Sequence, residues 1–152
     1  MDWPGLCAAL AARYVGLANA AGTSTLRAAH DVAPDNIVTP CAVARMGPIT
    51  GIALQGATFY TGRAAVDVLI LLDPASDVAR RDAALQEWIG PAMTAAVGGI
   101  GLGMYGDIAG ATVSSVEPIL AGSEDNDYAG MPYDVVRVRY DIEFLERVTV
   151  TL

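Results

Sequence analysis

The chain has 152 residues and a formal net charge of −8, from nine arginines and 17 acidic residues without a lysine. This length predicts one domain spanning residues 1–152, and an apolar content of 53 % is too high for a disordered chain. The acidic balance argues against specific nucleic-acid binding, which needs clustered cations, and against docking on an anionic membrane.

The first elements are a helix, a strand and a loop. Asp2 is a capping residue, and apolar side chains recur at spacings of three and four over residues 6–17, which predicts a helix with one buried stripe. Residues 36–45 predict a strand, in which Pro40 favours an edge position or a bulge. Residues 46–56 are rich in glycine and proline and predict a loop, although an unusually apolar one.

A strand and a second long helix follow. Residues 57–72 are apolar on both faces in their second half, which indicates a central strand. Ser76 or Asp77 caps a helix that runs to about residue 97, and Pro91 is expected to kink it.

The last third predicts two more strands. Residues 98–110 are glycine-rich, residues 111–120 favour a strand, and residues 121–132 form an acidic loop. Residues 133–148 alternate with a period of two, so one face is core and the other is polar. The apolar set is Val136, Val138, Tyr140, Ile142 and Phe144, and the polar set is Arg137, Arg139, Asp141 and Glu143.

Helices and strands that do not alternate strictly indicate an α+β fold. We expect a mixed, mainly antiparallel sheet that packs against two main helices. No uninterrupted apolar run reaches the ~20 residues of a transmembrane helix, and the first residues lack the basic region of a signal peptide. These features predict an intracellular protein with no membrane segment.

Each candidate for chemistry fails on its context. Glycines 101, 103 and 106 match a dinucleotide fingerprint but follow a helix, and residues 124–127 lack the later ligands of a calcium loop. His30 is the sole histidine and has no nucleophile motif near it. Cys7 and Cys41 are expected to be buried thiols. We therefore expect no enzyme, with no catalytic residues, cofactor or metal.

Two features indicate a surface for self-association. The polar face of the last strand carries its basic residues in one half and its acidic residues in the other. This arrangement can set the register of a subunit interface. The apolar loop needs a cover that a small monomer does not offer. Replacing Arg137 and Arg139 by Glu is expected to weaken assembly and leave the fold intact. The candidate interface residues are Ile49, Ile52, Leu54, Arg137, Arg139, Asp141 and Glu143.

The order of features resembles that of the tail terminator proteins of long-tailed bacteriophages. The family pattern has a short first helix, here residues 6–17, a proline-containing segment, here 38–43, and a hydrophobic strand that ends in an acidic residue, here 66–73. A helix with an aromatic residue follows at 79–97, and residues 128–133 lead into a long alternating strand. The Ala, Gly and Arg usage would suit a phage of a GC-rich actinobacterial host.

The resemblance implies a homohexameric ring that caps the tail tube, stops its polymerisation and joins the tail to the head connector. The implied partners are further copies of the chain, the major tail protein and a head connector or stopper protein, and DNA passes through the channel. The implied location is the head-proximal end of the virion tail, after assembly in the host cytoplasm. The alternatives are a head-tail connector, a head-completion protein or a minor tail protein. A small ligand-binding module or an enzyme that uses His30 and carboxylates is a further alternative.

Overall fold

The computed structural model describes residues 2–97, 111–121, 127–128 and 131–148, and every structural statement below concerns these residues. The glycine-rich segment 98–110, including the fingerprint glycines, and most of the supposed calcium loop lie outside them. The elements are α1 (Trp3–Ala12), β1 (Ala28–His30), β2 (Cys41–Gln55), β3 (Phe59–Leu72), α2 (Val78–Val97), β4 (Ala111–Ala121), β5 (Asp127–Tyr128), β6 (Met131–Pro132) and β7 (Asp134–Arg147).

Five strands form one sheet in the order β1-β2-β3-β7-β4, and β5 and β6 pair separately. β1 runs parallel to β2, and the other neighbours in the large sheet are antiparallel. The predicted α+β class is therefore confirmed. β3 lies between β2 and β7, the central position that its two apolar faces predicted. β4 lies at one end of the sheet, a position that tolerates Pro118.

Helix α1 begins as the sequence predicted. The side chain of Asp2 accepts a hydrogen bond of 2.9 Å from the backbone N–H of Gly5, and so satisfies one of the helix's unpaired donors. The helix ends at Ala12, before the end of the stripe that was predicted over residues 6–17. Tyr14 lies just beyond the helix end but is still fully buried.

Helix α2 is capped by Asp77, whose Oδ1 accepts a hydrogen bond of 2.8 Å from the backbone N–H of Arg80. Pro91 lies inside the helix, as predicted. Val78 in the first turn of the helix is exposed, and the buried stripe begins two turns later. The buried residues of α2 are Leu85, Trp88, Ala92 and Ala96.

Both helices contribute to one core on the same face of the sheet, which we call the helix side. A smaller cluster lies on the opposite face, where Ile37 and Tyr133 pack against it. The sheet residues of the helix-side core are Ala42, Ala44, Val66, Val68, Ile70, Leu72, Val136, Val138, Tyr140 and Ile142. The smaller cluster consists of Cys41, Val43, Leu69, Leu71 and Val135.

The predicted strand at 36–45 and loop at 46–56 are both wrong in their bounds. β2 begins at Cys41, directly after a cis peptide bond between Thr39 and Pro40, and continues to Gln55. The segment read as a loop is thus a strand, because it pairs with β3 along most of its length. Glycine and proline mark irregularities within this strand and do not end it.

Candidate subunit interface

The hairpin formed by β2 and β3 extends past the part of the sheet that the helices cover. Pairing between the two strands continues to Gln55 opposite Phe59, and β7 runs alongside as far as Arg147. The turn between the strands contains Gly56 at a φ of +69°, a conformation that favours glycine. We call residues 49–63, together with the adjoining end of β7, the arm.

The arm presents part of its apolar surface on the helix side. Ile49 pairs with Ala64 and Leu54 pairs with Tyr60. Side chains of directly opposed residues share a face of the sheet, and residues an even number apart on a regular strand do too. Ala64 and Tyr60 are an even number of residues from Val66, which packs in the helix-side core. Ile49 and Leu54 therefore continue the face that the helices bury elsewhere.

Two β-bulges produce this arrangement. The register of β2 against β3 shifts between Met46 and Ile49 and again between Thr50 and Ala53. Each shift places one extra residue on β2. The side chains that follow the extra residue therefore change from one face of the sheet to the opposite face. Without the first bulge, Ile49 would face away from the helices. Gly51, with a φ of +63°, lies in the second bulge.

The apolar residues predicted to need a cover are exposed in this chain. Ile49, Ile52 and Leu54 have 45 %, 64 % and 76 % of their surface exposed. Phe59 and Leu145 on the arm are also exposed, and the sequence pattern does not single them out because they fall near the ends of predicted strands. A small protein rarely leaves so many large apolar side chains together in water, so the arm is a candidate contact surface.

Aromatic contacts connect α1 to the base of the arm. The ring of Phe144 packs edge-on against Trp3 of α1, with centroids 5.1 Å apart, and against Tyr60 at 6.2 Å. The hydroxyl of Tyr60 donates a hydrogen bond to Glu146, and this bond raises the pKa of Tyr60. These contacts hold the arm in a fixed direction relative to the helices.

The four charged residues predicted on β7 lie on the sheet face opposite the helices, where they take part in contacts within the chain. Arg139 forms an ion pair with Asp67 directly opposite on β3. Glu143 forms an exposed ion pair of 3.2 Å with Arg63. Arg137 and Asp141 are half-buried beside them. This face, with an open groove of about 560 Å³, is therefore partly an internal charge network.

The pairing of Arg139 changes one expectation. Asp67 is only 3 % exposed, and its carboxylate depends on the guanidinium of Arg139 for charge balance. A glutamate at position 139 would face this buried carboxylate and repel it. The replacement of Arg139 by Glu is therefore expected to disturb the fold itself, so it is a poor probe of assembly.

The cysteines are free and buried, as predicted. Burial raises the pKa of Cys41 to about 11. Burial, together with the negative charge of Asp31, raises the pKa of Cys7. His30 is half-buried on β1, a strand that the sequence did not predict.

In the part of the chain that the structure describes, no group of three or more His, Cys, Asp or Glu side chains is placed to hold a metal ion. Neither α1 nor α2 is long and apolar enough to cross a membrane. Comparison of the sequence with models of protein families and with curated proteins finds no match.

Proposed function

We propose that this chain is the tail terminator subunit of a long-tailed bacteriophage, a structural protein without catalytic activity or cofactor. In this role it forms a ring that caps the tail tube, stops its polymerisation and joins the tail to the head connector. The observation that carries the proposal is the continuation of the helix-side apolar face onto the arm, where Ile49 and Leu54 lie exposed. Such a surface suits a chain whose working form is an assembly.

A closed ring needs two different surfaces on each subunit, since every copy contacts its two neighbours in different ways. The arm supplies one surface at one end of the sheet. The charged face of β7 is a further surface, on which Arg137, Asp141 and the exposed pair of Arg63 and Glu143 can set register against a neighbouring subunit or the tail tube. Contact with the tail tube can use either surface. The predicted interface residues therefore fall on two regions of the subunit.

The charge of the chain fits a channel through which DNA must pass. A net charge of −8 and the absence of lysine leave little cationic surface to hold phosphates. DNA would therefore slide past the subunits and would not be bound by sequence or by backbone. The proposal further includes the finer fold assignment, a mixed and mainly antiparallel sheet packed against two main helices, which the described pairings support.

The partners in this proposal are further copies of the chain, the major tail protein and the head connector or stopper protein. The direct test adds purified protein to polymerising major tail protein of the same phage and measures tube lengths by negative-stain electron microscopy. A terminator is expected to shorten the tubes in proportion to its concentration and to form a disc at one end. Unchanged lengths and bare ends would contradict the proposal. Binding to the connector alone would identify a head-tail connector instead.

A further inference from the structure

An apolar groove of about 350 Å³ lies between α1 and the edge of the sheet. α1 contributes Trp3, Pro4 and Cys7, and the segment after β1 contributes Val32 and Ala33. Met46 at the base of the arm forms part of its floor. β1 ends at His30, so the groove opens where the outer edge of β2 loses its neighbour among the described residues. Its lining is almost wholly apolar apart from Asp31 and Arg45 at its rim.

The arm of the same subunit cannot fill this groove. Leu54 lies roughly 20 Å beyond Met46, because their partners Tyr60 and Val66 are six residues apart on β3 at the usual rise of about 3.3 Å per residue. The arm is also held by β7 and by the aromatic contacts of Phe144. An arm that fills this groove therefore belongs to a second copy.

Strand pairing is an unsuitable way for the outer edge of β2 to bind that copy. Pro48 has no N–H to donate, and the two bulges of β2 interrupt the regular spacing of its hydrogen-bonding groups. These features prevent another strand from forming a regular hydrogen-bonded ladder with the open edge of β2. The second copy therefore makes its contact through side chains and not through backbone pairing. Ile52 and Leu54 are the most exposed large apolar side chains of the arm.

The groove rim carries Asp31 and Arg45, one charge of each sign, and Asp31 has an opposite charge beside the arm. Asp31 is exposed at the groove rim. Arg147 is exposed at the end of β7 and lies opposite Phe59, next to the arm's turn. Docking the arm end over the groove brings these opposite charges near each other, which selects one orientation of the contact.

We propose that the arm of one subunit inserts Ile52 and Leu54 into this groove on a second copy of the chain. The inference rests on the proposed ring and identifies the contact between adjacent subunits. Because a protrusion on one copy enters a recess on the next, the contact is head-to-tail and every subunit uses both surfaces once. The groove and the arm thereby cover each other's apolar surface, which a lone subunit leaves in water.

Disulfide formation between copies tests the contact directly. A tagged Leu54→Cys chain is mixed with an untagged Val32→Cys chain and oxidised, since Val32 lines the groove. We expect a tagged–untagged cross-linked pair. The matched control replaces Val15, an exposed valine outside the groove, by Cys. Equal cross-linking of Leu54→Cys to either partner, or none to Val32→Cys, would overturn the inference.

Charge reversal gives an independent measurement. Asp31→Arg and Arg147→Asp are each expected to weaken subunit association about tenfold or less, and the double variant is expected to recover part of the loss. Leu54→Arg should weaken it more strongly, whereas Val15→Arg should not. If the wild-type chain forms a ring and the Leu54→Arg variant still forms it, the arm–groove contact is refuted but the terminator proposal stands. A cross-linked pair of Leu54→Cys and Val32→Cys chains, together with a wild-type chain that never forms a ring, would do the reverse, and a strict monomer would refute both.

Discussion

Arg139 binds the carboxylate of Asp67 through two hydrogen bonds, one of 2.9 Å from Nε to Oδ1 and one of 3.1 Å from Nη2 to Oδ2. The two residues lie directly opposite each other on β7 and β3. This two-point contact places a charged pair on the central strand of the sheet, where Asp67 is almost fully buried. It binds β3 to β7 in one register, because a slip of one residue would separate the charges.

Arg139→Met is expected to lower the free energy of unfolding by about 2 kcal/mol, since it leaves the buried carboxylate of Asp67 without its counter-charge. Arg63→Met is the matched control, because Arg63 and Glu143 form an exposed pair on the same two strands. The control should cost less than about 1 kcal/mol. Urea denaturation measures both values. Equal losses in the two variants would show that the buried pair has no special role.

Gly62→Ala is expected to destabilise the chain by about 1–3 kcal/mol. A Cβ at position 62 would come within 2.5 Å of the ring of Phe144, which is held between Trp3 and Tyr60 and cannot move aside. Gly90→Ala provides the control, because a Cβ there meets no atom within 4 Å and alanine favours the helix. Thermal unfolding should therefore shift in opposite directions for the two variants. A stabilised Gly62→Ala protein would contradict the close packing at this site.

The hydroxyl groups of Tyr14 and Tyr140 share a buried hydrogen bond of 2.7 Å. Tyr140→Phe is expected to cost about 1–2 kcal/mol of stability, since it removes one partner from a buried polar contact. Tyr14→Phe should have a similar effect. The double replacement is expected to cost less than the sum of the single ones, because both lose the same bond. Strict additivity in chemical denaturation would indicate that the hydroxyls do not interact.

The two thiols should react slowly with Ellman's reagent at pH 8 in the folded protein and quickly in guanidinium chloride. Burial keeps the pKa of Cys41 at about 11, so its reactive thiolate is scarce at this pH. The raised pKa also makes stability depend on pH. The unfolded chain releases its thiol protons near pH 9 while folded Cys41 keeps its own, so stability should fall between about pH 9 and 11. Rapid labelling of the native protein would contradict this burial.

Periodicity predicted the parts of the fold that tertiary packing does not modify. Alternation along residues 133–148 separated the core face of β7 from its polar face correctly, and two apolar faces identified β3 as central. The same reasoning failed on residues 46–56, because Gly47, Pro48 and Gly51 are typical of loops. Here they form bulges within a strand, because pairing with β3 keeps them there, and residue type alone does not reveal cross-strand pairing.

The sequence led to a proposed set of interface residues but not to their geometry. It predicted that Ile49, Ile52 and Leu54 need a cover, and the structure shows all three exposed. It did not show that Arg139 faces Asp67, since cross-strand partners depend on a register that local sequence does not specify. The sequence did not predict the groove either, because α1, β2 and the segment after β1 each contribute a part of it.

The most direct test of the proposed self-assembly is the native mass of the purified chain, measured by sedimentation equilibrium over a wide range of protein and salt concentrations. The account predicts a species of about 94 kDa, six copies of the 15.7 kDa chain, that dissociates on dilution. A mass that stays at 15.7 kDa under every condition would contradict it.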